Sequence, residues 1–189
     1  YNAHLANTPN YVPLDWLFIK AMIWTETGGI ELPSWKTKPM QIGNKGDPGL
    51  TALLANVGDK DAKGNDLYEG GDLVIPPAFK EQLTKANAKN IKTIPQYNIH
   101  AGVGYLLMKM KYYKNLSVAS DTDTTIYTVQ VKKGIYASTI AKEQGTTVPM
   151  LEKLNPNINI NNIHPGMTLE YQKASLRFVI TGWKPISTD

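Results

Sequence analysis

The sequence predicts a mainly α-helical domain followed by a small α+β domain of βααβ order, and three observations predict it. Residues 12 to 114 carry apolar side chains at helical spacing, punctuated by Pro and Gly. The stretch Ser117 to Thr125 (SVASDTDTT) has the polar composition of a linker. From Tyr127 the period falls to two, because Tyr127, Val129 and Val131 alternate with polar residues. The boundaries that follow are a first domain at 1–116, a linker at 117–125, a second domain at 126–173 and a C-terminal tail at 174–189. With 189 residues, 42% of them hydrophobic and 19% charged, the chain can bury one sizeable core or two small ones, which argues against intrinsic disorder.

The first helix is expected from Pro13, a favourable first-turn residue, with Asp15 complementing the dipole and Leu14, Leu17, Phe18, Ala21 and Met22 at helical spacing. Gly28-Gly29 stops it. A second, short helix starts at Asp47, with Pro48 at its first position and Leu50, Leu53 and Leu54 facing inward. A loop rich in Gly, Asp and Asn spans Asp59 to Gly71. A third helix follows Pro76-Pro77 to about Asn90, and the lysine-rich stretch Lys80 to Lys92 reads as its solvated face. A fourth runs from an Asn98 cap with Ile99, Val103, Leu106, Leu107 and Met110 on one stripe. Gly102 and Gly104 inside it each cost about 1 kcal/mol relative to Ala, so close approach of another backbone is expected there. In the second domain a helix containing Ile140 and Ala141 ends at Gly145. Thr147 then caps a helix carrying Val148, Leu151 and Leu154, which Asn155-Pro156 ends, and a short strand follows around Met167 to Tyr171. The unit occurs once, so this is no repeat array.

Charge and composition exclude several function classes. The net charge is +4, but nineteen of the twenty basic residues are Lys and Arg177 stands alone, so the forked donors that read phosphates and bases are nearly missing and nucleic-acid binding is not expected. The absence of Cys removes disulfides, thiolate metal sites and cysteine nucleophiles. His4, His100 and His164 lack metal-ligand spacing, and no metal or other cofactor is expected; His100 reads as a solvated helix position. Neither a nucleophile elbow nor a phosphate-binding glycine loop occurs, which sets aside acyl and phosphoryl chemistry. The most apolar window, Trp16 to Trp24, is broken by Lys20 and is far shorter than the roughly 18 apolar residues of a membrane span, so no membrane insertion is expected. The chain opens at Tyr1 without a basic start and apolar run; it reads as part of something longer, with any export signal encoded elsewhere.

Glu26 is the most informative acid. It is expected at the C-terminal end of an apolar helix, next to Trp24 and the Gly28-Gly29 stop, where the dipole and partial burial both favour a protonated carboxyl. Such a group can protonate the leaving oxygen of a glycoside. An exposed surface Glu is the plainer reading of the same residue. Three strings in order, AMIWTETGG (Ala21 to Gly29), PMQIGN (Pro39 to Asn44) and NIHAGVGYL (Asn98 to Leu106), resemble the motif set of lysozyme-like lytic transglycosylases and goose-type lysozymes over most of residues 12 to 114. That resemblance implies Glu26 as catalytic acid, Met40, Gln41 and Ile42 as the wall of a glycan groove, and Tyr105 as a residue reaching the cleft. Gln41 can donate and accept hydrogen bonds, as recognition of an N-acetyl group or hydroxyl requires. Gly43 stands where goose-type lysozymes often carry an Asp. Asp47 and Glu31 are the nearest candidates for a second carboxylate, and hydrolysis and internal closure by the muramic acid 6-hydroxyl both stay open. The Tyr-Asn-Gly type motif usual later in the family does not occur.

The second region, YTVQVKKG (Tyr127 to Gly134), STIAKEQGTTVPMLEKLNPNI (Ser138 to Ile158) and HPGMTLEY (His164 to Tyr171), resembles a LysM domain. The resemblance implies a groove for N-acetylglucosamine-containing chains between Gly134, Ile135 and Tyr136 on one side and Asn155, Pro156 and Asn157 on the other. Ile135 stands where many such domains carry an acid. The expectation for the whole is a peptidoglycan muramidase that cleaves between N-acetylmuramic acid and N-acetylglucosamine. The combination and the TGWKPIST-like tail also resemble the C-terminal part of type VI secretion effectors. That implies action in the periplasm of a target bacterium, an immunity protein as inhibitor and a secretion carrier. The rivals are a non-catalytic wall binder relying on the LysM part and a tether in a larger particle. The tail Leu176 to Ile186 is apolar enough to return to the first domain.

Overall fold

The computed structural model describes residues 1–185; the last four residues of the predicted tail, 186–189, lie outside the described residues. The described residues form two compact units, 1–113 with 180–185, and Lys114–Val179.

In the first unit helix α1 (Asn2–Leu5) is followed by α2 (Trp16–Thr27). Helix α2 starts later than the proline suggested: Asp15 is its cap, accepting the Leu17 N–H at 2.8 Å, and Gly28 closes it in the left-handed region at φ 70°. Its inward residues are Ile23 and Thr27, flanked by Phe18, Ile19 and Met22, while Leu17 and Ala21 of the expected stripe face solvent. The five-residue α3 (Gly49–Leu53) buries Leu50 and Leu53, with Pro48 just before its first turn.

The expected third helix is instead a series of turns. A 3-10 turn at Pro77–Phe79 and another at Lys85–Asn87, whose Asn87 amide donates to Thr84 Oγ1, precede the one-turn α4 (Ala88–Ile91). Thr84 offers the backbone a local hydrogen bond that competes with helix continuation, so the lysine-rich stretch is no continuous helical face. Helix α5 (Pro95–Met110) is the longest element, and Pro95 at its first position lacks only an N–H that would have no partner. The core gathers Leu5, Ile42, Leu50, Leu53, Val74, Ile91, Ala101 and Leu107 around α5. Only α2 and α5 exceed five residues here, so much of this unit is turn and loop, as expected of a chain with 15 Gly and 12 Pro.

Strand β1 (Lys111–Ala119) leaves this unit, and its residues 117–119 belonged to the expected linker. What remains of that linker is an ordered turn: Ser120 Oγ accepts from the amides of Thr122 and Asp123, and Asp123 accepts from the Thr125 amide and the Tyr127 hydroxyl. In the second unit β2 (Ile126–Gln130), α6 (Ala137–Gln144), α7 (Val148–Leu154) and β3 (Thr168–Gln172) follow in βααβ order. Strands β2 and β3 pair antiparallel with Tyr127 opposite Tyr171 and Val129 opposite Leu169. Gly145 ends α6 at φ 63°, and Thr147 caps α7 by accepting from the Met150 amide. The core is Val131, Ile140, Ala141, Leu151, Ile160, Leu169 and Tyr171. Strand β4 (Ala174–Trp183) pairs with β1 and takes up most of the described part of the predicted tail, ending in the first unit. There Ile180 and Trp183 pack on the core, and the Trp183 indole N–H donates to Thr8 Oγ1 at 3.0 Å.

Candidate functional site

Glu26 comes from the last turn of α2, Met40, Gln41 and Ile42 from the turn after it, and Tyr105 from the middle of α5. All five line one cleft of about 390 Å³ in the first unit, together with Met22, Asp47, Gly102, Leu106 and Lys109. Residues up to 87 positions apart in the chain (109 minus 22) therefore share one concavity. Met22 was legible as the residue four before Glu26, hence on the same helix face. Leu106 and Lys109 follow Gly102 and Tyr105 by four and are covered by the same rule.

The wall segment is held by Asn98. This residue was expected to cap a helix; it lies instead inside α5, fully buried. Its Oδ1 accepts the Met40 N–H at 2.9 Å, and its Nδ2 donates to the carbonyls of Ile42 at 3.1 Å and Ile91 at 3.0 Å. The amide thus satisfies buried backbone groups from two segments that have no helix or sheet partner of their own. Gly102 completes the fit. A Cβ there would sit 2.4 Å from Met40 Cβ, and one at Gly104 would sit 2.7 Å from the Tyr1 hydroxyl, so the close approach inferred from these glycines is made by side chains rather than by a backbone.

Gln41 adopts a left-handed φ of 55°, a region that costs a non-glycine residue energy and recurs at functional sites. Its side chain is not free. Asn44 Nδ2 donates to Gln41 Oε1 at 2.6 Å, and Lys38 Nζ donates to Asn44 Oδ1. The Asp47 carboxylate accepts the Gly43 amide at 2.8 Å and the Gly49 amide at 2.7 Å. Lys109 reaches over the Tyr105 ring, 5.5 Å from its centroid, and pairs with Glu69.

Glu26 is solvent-exposed, so the burial expected of it beside Trp24 is absent. The Trp24 ring packs over Gly29 and stands edge-on to Trp35 at 6.3 Å. Glu31 is exposed and does not line the cleft. His100 lies outside the cleft and is half-buried: its ring stacks on Phe79 at 3.9 Å, Nδ1 bonds Gln82 Oε1 at 2.9 Å, and burial holds its imidazole below the ordinary range. Among the described residues no group of three or more His, Cys, Asp or Glu could hold a metal, and no helix is long and apolar enough to cross a membrane.

The second unit has its own groove, of about 500 Å³. Gly134, Ile135 and Tyr136 line it, and Tyr136 is 74% exposed, an aromatic face open to solvent. Its other wall is Ile160, Asn161, Asn162, Ile163 and Pro165, not the predicted Asn155, Pro156 and Asn157. Asn155 is spent inside the fold: Nδ2 donates to the carbonyls of Leu151 and Glu170, and Oδ1 accepts the Glu170 amide, tying α7 to β3. The local signal for this second wall is Asn159, whose Oδ1 accepts the Asn161 amide and starts the 3-10 turn Ile160–Asn162.

Compared with known proteins, residues 129–170 match the LysM domain family. No curated protein and no solved structure gives a significant match to the chain. LysM domains bind peptidoglycan, and the match supports peptidoglycan binding by this chain.

Proposed function

We propose, from the LysM domain at residues 129–170 and the cleft of the first unit, that this chain is a peptidoglycan glycosidase. It holds the wall polymer through the LysM groove and cleaves the β-1,4 bond between N-acetylmuramic acid and N-acetylglucosamine in the cleft. The observation that carries this reading is the convergence of Glu26, Met40, Gln41, Ile42 and Tyr105 on one concave surface. Glu26 is the proton donor to the glycosidic oxygen, and the Met40–Ile42 wall and Tyr105 position the sugar. An open cleft suits the task, because a polymer must enter from the side and its sugars then cover the Glu26 side chain. The combination of the two domains and the TGWKPIST-like tail, a separate resemblance, support reading the chain as an antibacterial effector domain that acts in the periplasm of a target cell, with an immunity protein as inhibitor and a secretion carrier as delivery partner.

A zymogram on purified peptidoglycan tests the reading. Clearing by the wild-type chain that disappears in Glu26→Gln, with sacculus pull-down retained, is the expected result. The specific observation that favours a second reading is that the matched family covers the LysM part only. A non-catalytic wall binder gives equal pull-down and no clearing from either chain.

A further inference from the structure

We propose that Asp47 is the second carboxylate of the cleft and that the chain cleaves glycan by hydrolysis through it, not by internal ring closure; this rests on the glycosidase reading above. Gly43 stands in the wall segment at the position where the resemblance to goose-type lysozymes implies an Asp. The fold brings a carboxylate back to that backbone: Asp47 Oδ2 accepts the Gly43 N–H at 2.8 Å, while Oδ1 accepts the Gly49 N–H at 2.7 Å. Gly43 itself sits at φ 79°, where a side chain would be strained, so an acid at 43 is disfavoured and one held against its amide is not.

Three features suit Asp47 to a catalytic water. It lines the same cleft as Glu26 but comes from a different element, the turn before α3. No ion pair among the described residues engages it, so its anchors are two neutral amides, and an ionised carboxylate has acceptor sites to spare beyond these two. It is half-buried beside Tyr105, whose ring would lie 3.2 Å from a Cβ on Gly49, so a bulkier residue at 49 would crowd both. Glu31, the other carboxylate in reach by sequence, stands outside the cleft.

The step balances as follows. The Glu26 carboxyl proton passes to the bridging oxygen as its bond to C1 of the muramic acid breaks. A water held by Asp47 gives its oxygen to C1 from the opposite face and its proton to the Asp47 carboxylate, and solvent returns that proton to Glu26. One water is consumed, C1 is inverted, and the products are a free 4-hydroxyl and a reducing-end sugar.

The test digests purified peptidoglycan with the full chain in 18O-labelled water and analyses the muropeptides by mass spectrometry. Wild type is expected to release reducing-end products carrying 18O at C1. Asp47→Asn is expected to lower that product at least about 100-fold, the lower range for loss of a general base, with residual product shifted to the anhydro form. Glu31→Gln is expected to leave both yield and product ratio unchanged. Wild-type products that are all anhydro overturn the Asp47 role while leaving the glycosidase reading intact, and this readout needs no variant to fold. An Asp47→Asn chain that lowers hydrolytic and anhydro products in equal proportion marks a merely structural Asp47 and also overturns it. Wild type that releases nothing, with sacculus binding retained, removes the glycosidase reading itself.

Discussion

The Asn98 side chain accepts one backbone hydrogen bond and donates two, and all three run to segments outside its own helix turn. Truncation to Ala would strand the Met40 amide and the Ile42 and Ile91 carbonyls in a dry interior, where each unmet group costs about 1–3 kcal/mol. Asn98→Ala is therefore expected to lower unfolding stability by about 3 kcal/mol in urea titrations. Asn98→Asp is expected to cost more at neutral pH, because a carboxylate oxygen would face two carbonyl oxygens in place of the donor. Gln41 shows the same logic from the other side. Its left-handed backbone is tolerated because Asn98 fixes the residues on either side of it and Asn44 bonds its side chain. The strings that marked this region as a candidate site in the sequence were visible as residue types. That Asn98 ties the second string to the third was not, since the partners lie 58 and 56 positions away and a cap explains the same residue.

At the scale of elements, α5 is a surface against which the cleft wall is laid, and its two glycines set how closely. Gly102 meets the Cβ of Met40, an atom fixed by backbone, whereas Gly104 meets the tip of the Tyr1 side chain, which can move. Replacement by Ala gains about 1 kcal/mol of helix propensity at either position. At 102 the overlap outweighs this, and Gly102→Ala is expected to destabilise by about 2 kcal/mol net, within the range for overpacking. Gly104→Ala is expected to cost less, although it disturbs the Tyr1 hydroxyl bond to the His100 carbonyl. Thermal melts of the two variants check the order, and Gly104→Ala melting below Gly102→Ala would reverse the account. Helices α2, α6 and α7 were legible because signals at their ends are local: Gly28, Gly145 and Thr147 do at the termini what their chemistry predicts, whereas α5 starts at Pro95 and not at the Asn98 taken as its cap. The third expected helix was not, because Thr84 and a buried Leu83 break a polar stretch whose periodicity carried no such information.

At the scale of the molecule, the chain enters the second unit along β1 and comes back along β4, so the LysM domain is set within the sequence of the first unit. Each unit carries its own groove, and the two should be separable by mutation. Tyr136→Ala removes the exposed ring of the LysM groove and is expected to weaken sacculus binding about tenfold, roughly 1.4 kcal/mol, with cleavage of short soluble glycan fragments unchanged. Binding isotherms on sacculi and turnover of fragments measure the two arms, and equal losses in both would tie the grooves together. By itself the sequence determined the two-part organisation, the βααβ order of the second unit and which residues to take as candidates for the acid and the wall, because periodicity, caps and short strings are properties of neighbours along the chain. Only the tertiary structure decided that Asp47 shares the cleft with Glu26 while Glu31 does not, that Asn98 and Asn155 serve as internal ties, and that Ile160 to Ile163 line the second groove. Each of those depends on which distant backbone groups are left without a partner once the elements pack, and a linear pattern does not record it.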